Sequence, residues 1–101
     1  MWKDANELIE YPKAGILSKE IFKSDGVEAT LFCMAAGTEI SKHTSTRAVV
    51  VVVLEGDGVF KLEGKPIKMS QGVLINLDKN AVHSLQAKKD TAFVLLLFNS
   101  K

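Results

Sequence analysis

Two histidines, His43 and His83, are the residues of this 101-residue chain best suited to chemistry. A neutral imidazole is both a general base near neutral pH and the commonest metal ligand. His43 lies just ahead of five consecutive valines, Val49–Val53, and His83 follows the turn-forming stretch Asp78-Lys79-Asn80. No local motif links the two, so each is read from its own surroundings. On an extended chain His43, Ser45, Arg47 and Val49 point to one side. Ser45, Arg47 and Val49 are therefore expected at a pocket beside His43, with Arg47 offering a guanidinium to an anionic ligand such as a carboxylate. The alternative for Arg47 is a bend that turns it to solvent. Cys33 and Met34 are adjacent on a strand, so one of them faces the interior. A thiolate there would suit a soft metal; otherwise Cys33 is a small buried hydrophobe. No carboxylate is securely placed beside either histidine. Glu39 shares the parity of His43 only if the segment stays extended, and Glu55 and Asp57 read as turn residues.

The elements that must position these side chains are mostly strands. A short N-terminal helix is possible, capped by Asp4 or Asn6, with Leu8 and Ile9 on its apolar side and Pro12 ending it. After it come eight apolar segments, beginning with GILSKEIF and VEATLFCMA and ending with AFVLLLF. The connectors EGDG, EGKP, SQG, LDKNA and KKDT carry turn chemistry. Short strands at such close spacing predict an all-β sandwich or barrel. The valine run does not alternate with polar residues, so both its faces need cover, from this chain or from a second subunit.

Glycine and histidine spacing adds a family resemblance. Gly37, His43 and Gly56 fall on the first motif of the cupin superfamily (glycine, five residues, His-x-His, three or four residues, glutamate, six residues, glycine). Ser45 stands at the second histidine position and Val49 at the glutamate. Gly72 and His83 fall on the second motif (glycine, five residues, proline, x, glycine, two residues, histidine), with Asp78 and Asn80 in place of proline and glycine. Asn tolerates the left-handed conformation that glycine would supply. The resemblance covers nearly the whole chain. It implies a single cupin domain over residues 1–101, folded as a double-stranded β-helix (jelly-roll) barrel. It also implies a divalent metal ion (Zn, Ni, Cu, Fe or Mn) held by His43 and His83. A full cupin site has three histidines and a carboxylate, so half of that set is present. Without the carboxylate, metal affinity should fall. The other reading of the histidines is neutral barrel residues hydrogen-bonded to each other or to water.

Three functional classes follow: a metal-dependent enzyme acting on a small polar molecule, a metal-free barrel that binds a small molecule, and a scaffold for dimerisation. Bulk properties narrow the partners. A formal net charge of +1 and 7% aromatic residues give neither a basic stripe nor a base-stacking platform for nucleic acid. The single cysteine excludes an internal disulfide and fits a reducing compartment. The N-terminus has no hydrophobic signal core, and the longest apolar run, Ala48–Leu54, falls far short of the ~20 residues of a spanning helix. The expectation is a cytoplasmic homodimer that binds a small molecule.

Overall fold

A computed structural model describes residues 1–99. Asp4 caps one turn of 3-10 helix, Ala5–Leu8, by accepting a hydrogen bond from the Asn6 amide at 3.0 Å. Nine strands follow: β1 (Ile16–Lys23), β2 (Val27–Met34), β3 (Glu39–His43), β4 (Val49–Glu55), β5 (Gly58–Leu62), β6 (Lys65–Met69), β7 (Leu74–Leu77), β8 (His83–Ala87) and β9 (Thr91–Phe98). Eight of them occupy the segments expected from apolar content. The addition is β3, which carries the first histidine. Its sequence, EISKH, is exposed everywhere except Ile40, so it lacks the apolar alternation of a half-buried strand.

The strands form two antiparallel sheets, ordered β1-β2-β9-β4-β7 and β3-β8-β5-β6, that face each other as a jelly roll. The β5–β6 hairpin closes on Glu63-Gly64, both at positive φ, as a two-residue hairpin loop demands. Side-chain alternation then sorts the apolar residues into two clusters. Val49, Val51 and Val53 point between the sheets and pack with Phe60, Met69, Ile75 and Phe93. Val52 and Leu54 point the other way, onto a cluster built around Leu31, Cys33 and Ala92.

The N-terminal segment covers that outer cluster with Ala5, Leu8, Ile9 and Tyr11. Polar contacts pin it in place. The Tyr11 hydroxyl donates to Glu55 at 2.8 Å, and the Lys19 ammonium donates to the Leu8 carbonyl at 3.0 Å while pairing with Glu10 at 2.9 Å. Burial and the Glu55 carboxylate push the Tyr11 phenol well above its ordinary pKa. Part of the valine strand's second face is thus covered from within the chain. Among the described residues, no helix is long and apolar enough to cross a membrane.

Candidate functional site

Strand register joins the two histidines. β3 pairs antiparallel with β8, and His43 lies directly opposite His83. Directly opposed residues project from the same face of a sheet. The rings rest edge to face, with centroids 4.0 Å apart and planes at 60°. His83 is only 7% exposed, while His43 reaches solvent. A register shift between Ile40 and His43 makes this possible, because it changes the strand's parity so that both side chains turn inward. Glu39 keeps the opposite side and is exposed, so it brings no carboxylate to the pair.

Each imidazole is oriented by backbone. His43 Nδ1 lies 2.8 Å from the Ser41 carbonyl, and His83 Nδ1 lies 2.9 Å from the Ala81 carbonyl. A carbonyl only accepts, so both Nδ1 atoms carry the proton, and in the neutral rings Nε2 keeps its lone pair. Burial holds the His83 pKa below the ordinary histidine range. The Ala81 carbonyl opposes that shift in part, and the nearby His43 adds to it.

The pair stands at the mouth of a cavity of about 140 Å³ between the sheets. Phe32, Phe60 and Phe93 supply aromatic wall, with Phe32 stacked on Phe93 at 5.3 Å and Phe60 parallel to His83 at 5.7 Å. Ile40, Val49 and Val51 line one part, and Leu77, Leu85 and Leu95 another. Among the described residues, no charged side chain lines the cavity. The aromatic wall escapes a reading of residue types. Phe32 and Phe93 lie in strands so apolar that alternation cannot say which face is inside; pairing puts the two on one face, and packing into the inner cluster makes that face the interior one.

Of the residues expected beside His43, Val49 lines the cavity, but Ser45 and Arg47 do not. The chain leaves the extended form between β3 and β4, so shared parity fails there. The Ser45 hydroxyl instead donates to the Arg47 carbonyl and accepts from the Arg47 amide, an intraloop turn. Arg47 reaches back over the end of β9. It donates to the carbonyls of Leu97 and Phe98 and pairs with Glu28 at 2.7 Å. The Arg47 hydrogen bond lowers the Glu28 pKa despite partial burial. Asn80 adopts φ 65°, the left-handed conformation expected of it, and its amide donates to the Ser45 carbonyl at 2.7 Å, tying the turn before β8 to the loop after β3. Met34 is the residue of its pair that faces the interior; Cys33 is fully buried in the outer cluster as a small hydrophobe.

A catalytic metal ion ordinarily asks for three protein ligands. Among the described residues, no group of three or more His, Cys, Asp or Glu converges. Two imidazoles whose Nδ1 atoms are held by carbonyls are the donor set, one protein ligand short of such a site.

Residues 30–99 match the family model described as the cupin domain, and the chain belongs to that family. The fold is shared with solved structures of low identity. A conserved protein from Streptococcus pyogenes superposes with a TM-score of 0.87 at 19% identity, covering 100% of this chain and 89% of that one. A cupin superfamily protein from Desulfitobacterium hafniense gives 0.85 at 20% identity, over 93% and 86% of the two chains. A third, from Thermus thermophilus, gives 0.86 at 17% identity, over 96% and 95%. No curated protein matches the chain at a significant level.

Proposed function

We propose that the protein binds one small molecule in the barrel cavity, its body against the apolar wall and its polar end at His43 and His83. The carrying observation is the cavity itself: about 140 Å³, apolar except for two convergent histidines at its mouth. Binding sites have this make-up, an apolar enclosure with a few placed polar groups. The test is a fragment screen followed by amide NMR on the full chain. Fragments should shift Val51, Phe93 and Leu95 together; hits that map only outside the barrel would sink the reading.

A second reading is favoured by the orientation of the rings. Imidazoles that donate Nδ1–H to a carbonyl present Nε2 as metal ligands commonly do. His43 and His83 would hold a divalent ion weakly, with water or the ligand's own donors completing its sphere. Elemental analysis and calorimetry with zinc, nickel and copper, beside His43→Ala and His83→Ala, separate the two. Metal taken up by the parent and lost in both variants favours the ion; no uptake leaves the organic ligand alone. For a general base, a carboxylate behind the imidazole would supply basicity; here carbonyls hold that position.

Association into a homodimer is supported by what the N-terminal segment leaves uncovered. Leu74 is 68% exposed and pairs with Val52 across the sheet, beside half-buried Val50 and Leu96. Sedimentation of the parent and of Leu74→Lys tests this, a monomeric parent ruling it out. The free, buried Cys33 is in keeping with a reducing compartment such as the cytoplasm.

A further inference from the structure

We propose that the ligand is a neutral aromatic ring bearing one hydrogen-bond donor, of the phenol class, with its ring among Phe32, Phe60 and Phe93 and its donor on Nε2 of His83. This rests on the barrel-binding reading and narrows it. Size is the first constraint. A cavity of about 140 Å³ is close to the ~150 Å³ of an apolar protein cavity that admits benzene. That volume matches a single six-membered ring. Three phenylalanines on the wall favour a flat π-system, which gains edge and face contacts beyond its apolar area.

Polarity is the second constraint, and it sets the sign of the ligand's polar group. Both Nδ1–H groups are spent on the carbonyls of Ser41 and Ala81. What the neutral pair offers the cavity is therefore acceptors. His43 is exposed, so water satisfies its Nε2; His83 is only 7% exposed and lines the cavity, where a donor on the occupant can take its lone pair. A carboxylate, a phosphate or a ketone would bring oxygen lone pairs against nitrogen lone pairs, with no cation from the described residues on the wall to offset the charge. A sugar would bury several hydroxyls against an apolar wall. A phenol, which donates one O–H and hides the rest of its surface, meets both constraints.

The test is an amide NMR titration of chelator-treated full-length protein with phenol, benzene and benzoate. Phenol should bind about tenfold more tightly than benzene, the worth of one hydrogen bond. Benzoate should shift no cavity resonance. In His83→Phe, which keeps a ring beside Phe60, phenol should fall to the level of benzene. Equal binding of phenol and benzene by the parent protein overturns the donor assignment without recourse to any variant. Benzoate binding in the barrel more tightly than phenol overturns the ligand class but leaves the barrel-binding reading intact. Failure of phenol and benzene alike to move cavity resonances also overturns the proposal; the broader reading is then decided by whether any other fragment enters the barrel.

Discussion

Backbone carbonyls decide what the two histidines present to the cavity. Because Ser41 and Ala81 each accept from an Nδ1, both neutral rings should be Nδ1–H tautomers. Nitrogen-15 NMR should show this, and a titration should place the His83 pKa below the ordinary ~6.5, since burial disfavours its imidazolium. A His83 pKa at or above that value would contradict the buried placement. Arg47 and Glu28 make a second residue-scale prediction. The folded-state pKa of Glu28 is depressed, so the pair's contribution is present above the ordinary carboxylate pKa and is lost as pH falls through the folded value. A solvent-accessible pair of this kind contributes little, and salt screens it. Thermal melts should show the parent slightly more stable than Glu28→Gln near neutrality, with the two converging in acid.

At the scale of elements, one strand end tolerates no side chain. Gly56, after β4, has φ 126°, and a Cβ there would lie 2.5 Å from Thr91 Oγ1 and 2.6 Å from Thr91 Cα. Thr91 cannot yield, because it is fully buried and its hydroxyl bridges the Asp57 backbone and the Lys89 carbonyl. Gly64 also has positive φ, but nothing lies within 4 Å of its would-be Cβ. Gly64→Ala should therefore cost only the backbone term, about 1 kcal/mol, and Gly56→Ala clearly more, ~3 kcal/mol or above. Denaturant melts compare the two directly; equal losses would mean that the Thr91 contact is not tight. The same Gly56 is the terminal glycine of the first motif, so its spacing from His43 serves packing at the barrel's far end rather than ligand binding.

For the whole molecule, the N-terminal segment acts as a cover over one face of the larger sheet. Leu8, Ile9 and Tyr11 shield a cluster in which Cys33 is wholly buried. Removing residues 1–9 should expose the thiol and lower stability by on the order of 3 kcal/mol, from the apolar area returned to water. The parent should react slowly with an aromatic disulfide reagent and the truncated chain rapidly. Equal rates would show that other elements protect Cys33. The cavity should survive the truncation, since its wall belongs to the inner cluster on the opposite face of that sheet.

Much of this architecture was legible in residue order alone. Turn residues and apolar runs located eight strands, and glycine spacing around His43 and His83 implied the barrel that brings the two histidines together. The left-handed conformation of Asn80 followed from its side chain. These are local properties, set by which backbone angles a residue tolerates and which segments must be buried. Tertiary structure alone decided the rest. The polar strand β3 exists because β8 offers it a hydrogen-bonding edge, which no pattern within EISKH records. Parity placed Ser45 and Arg47 with His43, but the chain leaves the extended form after β3, and the count holds only on an unbroken strand. The register shift between Ile40 and His43 likewise separates Glu39 from His43. The imidazole tautomers and the phenylalanine wall depend on partners brought close by register and sheet packing, and sequence separation carries no measure of that distance.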